Sequence, residues 1–167
     1  MILATSTSSL SIAQIVQATG RPDKEHNLPV PFLPWEKMEK VLKFVDLVLF
    51  DIKHLDPLEH KRTTSVGNEL ILENLEKASR LAHIWLRMPL IKGFNDSKAY
   101  IKDIALLGKR IGAEKVSLLP YHEGGKSKCA QLGRSYVFTG AEAPDDEHID
   151  SLKQIVETLG MKTSIGN

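Results

Sequence analysis

The chain has 167 residues, 42% of them hydrophobic and 26% charged, which excludes wholesale disorder and a fibrous repeat and leaves one ordinary globular domain. Lys and Arg number 22 against 21 Asp and Glu, a net charge of +1 that points to neither nucleic acid nor a membrane surface. The one cysteine, Cys129, forms no internal disulfide and is too few for a cluster or structural zinc, so a reducing, cytoplasmic setting is expected and no metal site.

Residues 1–20, MILATSTSSLSIAQIVQATG, are uncharged and interrupted by Ser and Thr, unlike a signal peptide, and no apolar run reaches the ~18 residues of a membrane span. Ser11 to Ala18 fits a short amphipathic helix. The stretch that follows holds Pro22, Pro29, Pro31 and Pro34, and reads as turn-rich coil. Residues 1–33 are therefore expected to form an atypical segment, linker or short helix, ahead of the organised domain at 34–167.

From Pro34 the pattern becomes regular. Pro34-Trp35-Glu36 opens a helix carrying Met38, Val41, Leu42 and Val45 at helical spacing. Val45 to Lys53 (VDLVLFDIK) is apolar with charge only at its ends, as in a strand buried on both faces. A helix over 70–82, an apolar run over 84–91, a helix from Ser97 to about Ile111 and a run over 115–121 follow. A last helix begins near Asp145, and Met161 to Ile165 reads as a short final strand. Strand and helix alternate at roughly 30–40 residues per unit, the βαβ pattern of a parallel sheet. A closed eight-stranded barrel takes ~250 residues. The expected fold class is therefore α/β, with three to four parallel strands and flanking helices, as either a doubly wound sheet or a partial (β/α) barrel, at least one sheet edge being left to cover.

In parallel sheets ligands sit where the strands end. The first run ends in Asp51 and Lys53, two apart and so on one face. The second carries Arg87, and a loop Lys92-Gly93-Phe94-Asn95-Asp96 follows. The third ends in Pro120-Tyr121-His122. Each has a plain structural alternative: an Asp51–Lys53 ion pair, an Arg87 paired with a nearby acid, a satisfied strand-end histidine. Together they suit a zwitterionic ligand bearing a heterocycle. Lys and Arg hold a carboxylate, Asp accepts from an ammonium, and His bonds or stacks on a base. Asn95 and Asp96 read as caps of the next helix. His26, His54, His60, His83 and His148 have no metal-site spacing, and Cys129 reads as structural or incidental.

At these same residues the chain resembles a known family. VDLVLFDIKHLDPLEHKR, TTSVGNELILENL, WLRMPLIKGFND, SLLPYHEGGKSK and QLGRSY, in that order, are similar to the carboxyl-terminal half of glycyl-radical enzyme activating enzymes, the radical S-adenosylmethionine proteins related to pyruvate formate-lyase activating enzyme. The resemblance covers Pro34 to about Lys162. It implies half of a (β/α)6 barrel, S-adenosylmethionine as ligand, and a glycyl-radical enzyme as the partner on which a glycyl radical is made. It further implies that Asp51 and Lys53 touch the amino and carboxylate groups of S-adenosylmethionine, that Arg87 belongs to the same site, and that His122 lies beside the adenosyl part. The family's 4Fe-4S cluster needs C-x3-C-x2-C, which is absent here, as are its Gly-Gly-Glu and Asp-Thr-x-Gly strands. Lys92 stands where the family has Pro, Ser65 where it has Gly, and Cys129 where an aromatic is common. A truncated or frame-altered reading frame, inactive alone and with no catalytic residue of its own, is the expectation. Two alternatives accompany it: a non-catalytic module that binds a partner or pairs with itself through an open sheet edge, and an aldolase-like barrel with Lys53 as Schiff-base nucleophile.

Overall fold

The computed structural model describes residues 3–6, 26–28, 34–43, 45–122 and 140–166, the first two segments as backbone. Five helices and six strands make up these residues. Strands β1 (Leu3–Ser6), β2 (His26–Leu28), β3 (Leu47–Asp51), β4 (His83–Leu90), β5 (Lys115–Pro120) and β6 (Lys162–Ile165) form one sheet in the order β2-β1-β3-β4-β5-β6, every pairing parallel. Helices α1 (Trp35–Leu42), α2 (Pro57–Thr64), α3 (Glu69–Ala78), α4 (Lys98–Ile111) and α5 (Asp146–Thr158) alternate with β3 to β6.

The fold class is the one expected, and residues 34–166 supply four parallel strands with flanking helices. Of residues 1–33 the described ones are β1 and β2, which extend the sheet beyond β3. β1 pairs with the edge of β3 that β4 leaves open, which meets that strand's backbone hydrogen-bonding demand. The helix expected at Ser11 to Ala18, Gly124-Gly125 and Cys129 lie outside the described residues.

Alternation along the strands sorts the side chains. In β4, Ile84, Leu86, Met88 and Leu90 are buried and join Val48, Phe50, Met38, Leu75, Ile101, Ile104 and Leu152 in a single apolar core. Trp85, Arg87 and Pro89 point to the opposite face and stay half-buried. The parallel register places Asp51 beside Arg87, Arg87 beside Ser117 and Ser117 beside Ser164, a polar row across four strands.

Helix α2 was not expected from hydrophobic periodicity, since Leu58 is exposed and its other positions are polar. Its start is chemical. Asp56 accepts from the N–H groups of Leu58 (2.8 Å) and Glu59 (3.0 Å), and Pro57 occupies the first turn. Its end is Ser65, left-handed at φ 68, with its N–H donating to the Lys61 carbonyl at 2.8 Å. A side chain in that conformation is strained, which accounts for the glycine of the resembling family. Ser65 is exposed, so Ser65→Gly loses little else, and it is expected to stabilise the chain by about 0.5–1 kcal/mol. A urea midpoint raised at constant m-value is the check, and an unchanged or lowered midpoint refutes it.

Candidate functional site: a polar pocket at the strand carboxyl ends

The four residues singled out from sequence come together. Asp51, Lys53, Arg87 and His122 line one cavity of about 410 Å³, with Pro89, Ile91, Phe94 and Leu119 forming apolar walls and Thr63, Thr64, Asn95 and Tyr121 adding polar groups. A space of that size with mostly apolar walls and a few convergent charges is typical of a small-molecule site.

Strand geometry sets the charged cluster. Asp51 closes β3 opposite Arg87, and the next residue, Ile52, donates its N–H to the Arg87 carbonyl at 2.8 Å while its side chain enters the core. That bond keeps the chain extended past the strand, so Lys53 emerges on the same face as Asp51. The Asp51 carboxylate then lies 3.3 Å from Arg87 Nε through one oxygen and 3.4 Å from Lys53 Nζ through the other. The ion pairs offered as the plain readings of Asp51, Lys53 and Arg87 are thus present, and they are part of the pocket. Side-chain exposures of 13%, 22% and 46% for Asp51, Arg87 and Lys53 order the three. The carboxylate is held from beneath by a shielded guanidinium, while the lysine head remains in water and is able to swing. β5 brings the last member. The Tyr121 N–H donates to the Leu90 carbonyl at 3.0 Å, carrying β5 alignment past Pro120 and setting exposed His122 at the rim.

Asn95 has a role other than the helix cap expected for it. Ser97 caps α4 by accepting from the Tyr100 N–H at 3.2 Å. Asn95, 2% exposed, braces the pocket instead. Its Oδ1 accepts from the Ile91 N–H at 2.8 Å, and its Nδ2 donates to the carbonyls of Pro89 (2.7 Å) and Lys53 (3.3 Å). One amide thereby ties the end of β3 to the end of β4. Asp96, the other expected cap, accepts from the Gly93 N–H at 2.9 Å within the same loop. Phe94 is held against His54 at 5.2 Å between ring centroids, and His54 stacks on Tyr100 at 4.7 Å. Burial raises the Tyr100 phenol well above its usual range, so it stays protonated and supports the wall.

His60 and His83 have local partners. Buried His60 holds the Val66 carbonyl at 2.8 Å through Nδ1, and His83 reaches Glu114 at 2.7 Å. No group of three His, Cys, Asp or Glu side chains able to hold a metal occurs among the described residues, and no described helix is long and apolar enough to cross a membrane. Sequence reasoning missed Thr63 and Thr64, which reach the cavity only because α2 folds over it, and Asn95 as a brace. The Asn-Asp pair straight after a strand was the available signal for Asn95.

The chain matches no family model. It is 36% identical over 135 residues to the 4-hydroxyphenylacetate decarboxylase activating enzyme of Clostridioides difficile, covering 79% of this chain and 43% of that protein. It is 37% identical over 127 residues to the pyruvate formate-lyase-activating enzyme of Staphylococcus aureus, covering 73% of this chain and 49% of the relative. Among solved structures, a domain of pyruvate-formate lyase-activating enzyme from Bacteroides vulgatus superposes with a TM-score of 0.65 at 28% identity, over 79% of this chain and 74% of that one. The chain thus spans less than half the length of these curated relatives.

Proposed function

Because the chain is homologous to glycyl-radical enzyme activating enzymes over 79% of its own length and 43% of theirs, we propose that its pocket is the carboxyl-terminal part of their S-adenosylmethionine site. The observation that carries this reading is Asp51 between two cations, 3.3 Å from Arg87 and 3.4 Å from Lys53, at the mouth of a cavity that His122 also lines. The donor set fits the ligand. Asp51 accepts from the α-ammonium, and Lys53 turns from Asp51 to the α-carboxylate. Arg87 holds the Asp51 carboxylate in place, and His122 takes the edge or face of the adenine. Ile91, Phe94 and Leu119 shield the bound ligand from bulk water. Bound S-adenosylmethionine supplies a sulfonium whose carbon–sulfur bond breaks on one-electron reduction. Asp51, Lys53, Arg87 and His122 supply binding and orientation for it, and no acid–base step.

The 4Fe-4S cluster does not fit this chain. The sequence holds one cysteine where three thiolates are required, so no electron-transfer step is assigned to it. In this reading a complete activating enzyme acts on a glycyl-radical enzyme, and this chain carries the ligand-holding portion only.

Calorimetric titration with S-adenosylmethionine tests the proposal. The wild-type chain is expected to bind, and Lys53→Ala and Arg87→Ala are each expected to weaken binding by about tenfold or more, the value of one charge-assisted contact. No heat from the wild-type chain at millimolar ligand, or full affinity in both variants, defeats the reading.

A further inference from the structure

The loop that walls the pocket is gripped from outside by the carboxyl-terminal part of the chain. Residues 92–96 follow β4, and Phe94 and Asn95 from this loop line the cavity. Two contacts reach the loop from distant sequence. The Lys92 N–H donates to the Glu142 carbonyl at 3.0 Å, and His148 Nε2 lies 2.8 Å from the Asp96 carbonyl and 3.4 Å from Asp96 Oδ2. A carbonyl oxygen only accepts, so the ring carries a proton on Nε2 and donates it. The second Asp96 oxygen, Oδ1, accepts from Gly93 inside the loop at 2.9 Å, so one carboxylate connects the histidine to the turn.

His148 is itself well anchored. It sits in the first turn of α5, its own N–H donates to the cap residue Asp145 at 2.8 Å, and the helix buries Ile149, Leu152 and Val156. A side chain on so fixed a base transmits the position of the helix to whatever it bonds. What it bonds is the residue next to Asn95, the brace between the ends of β3 and β4. An exposed staple would join two surface groups. This one ends on a carbonyl and a carboxylate, the latter 14% exposed, in the loop that carries Phe94 and Asn95 to the cavity.

We propose that His148 is a positioning residue of the ligand pocket: by holding Asp96 it sets the loop that carries Phe94 and Asn95, and so couples α5 to pocket occupancy. Such coupling is reciprocal, and the bound ligand tightens the His148–Asp96 contact by the factor that the contact tightens the ligand. The inference rests on the S-adenosylmethionine reading for its choice of ligand probe alone.

The test uses the full chain and two readouts, amide hydrogen exchange and S-adenosylmethionine affinity. In His148→Leu the amides of Ile91 and Gly93, whose acceptors are Asn95 Oδ1 and Asp96 Oδ1, are expected to exchange about tenfold faster, with β5 unchanged. Affinity is expected to fall about five- to tenfold. His148→Gln keeps an N–H donor at similar reach and is expected to restore both readouts to within about twofold. Leu75→Ala loosens the core at α3, away from α5 and the loop, and is expected to leave the affinity of the folded chain unchanged. Wild-type exchange and affinity in His148→Leu overturn the inference. So does a Leu75→Ala variant that loses as much affinity as His148→Leu. A wild-type chain that binds no S-adenosylmethionine sinks the reading of the pocket, and the exchange measurement still decides the role of His148.

Discussion

Asn95→Ala is expected to lower the melting temperature by about 5–15 °C. The amide is buried and fully engaged, its Oδ1 accepting from the Ile91 N–H and its Nδ2 donating to the Pro89 and Lys53 carbonyls. Truncation leaves a buried N–H and two carbonyls to find new partners. At about 1–3 kcal/mol for each stranded group, discounted because the adjoining cavity admits water, the loss comes to about 2–4 kcal/mol. In a domain of this size each kcal/mol moves the midpoint by roughly 2–4 °C. Asn95→Asp is no remedy, since it keeps the acceptor for Ile91 but sets a carboxylate against two carbonyl oxygens. Scanning calorimetry on both variants decides the matter, and a midpoint within a degree of wild type removes Asn95 from its bracing role. Because the Lys53 carbonyl is one of its partners, a displaced amide also frees the end of β3 on which Asp51 and Lys53 stand.

Anaerobic reconstitution of this chain with iron and sulfide is expected to yield no reducible 4Fe-4S signal in electron paramagnetic resonance, and no 5′-deoxyadenosine from S-adenosylmethionine. The loss is complete because it is stoichiometric. Three thiolates must anchor such a cluster, and the sequence carries one cysteine. Neighbouring carboxylates and imidazoles do not make good the deficit, since no group of three such side chains converges among the described residues. Binding and turnover are thereby separable in this chain, with S-adenosylmethionine affinity expected and reductive cleavage absent. A cluster signal with turnover from the unmodified chain would contradict the assignment. Catalysis restored by adding a cysteine-bearing amino-terminal half of an activating enzyme would agree with it.

The polar cluster was legible from sequence for a simple reason. Alternation with period two assigns Asp51 and Lys53 to one face, and parallel strands deliver their last residues to one rim. Nothing beyond local pattern was needed to expect Asp51, Lys53, Arg87 and His122 together, and the register that sets Asp51 beside Arg87 agrees. Helix α2 escaped because its stability comes from the Asp56 cap and Pro57, while its face toward solvent carries the large apolar side chain, Leu58. β1 and β2 escaped because three or four residues carry no readable period, and their place depends on an edge of β3 formed elsewhere in the chain.

Residue order alone settled the alternation of strand and helix and the convergence of Asp51, Lys53, Arg87 and His122, since each of these follows from periodicity within a dozen residues. Folding in three dimensions decided the rest. Asn95 became a brace because the Lys53 carbonyl, 42 positions away, came within 3.3 Å, and His148 met Asp96 across 52 positions. A polar side chain near a strand end has several local uses of similar energy, a cap, a turn or a solvated surface group. Which one it adopts is set by the unsatisfied backbone groups that packing brings beside it, and those belong to distant parts of the chain.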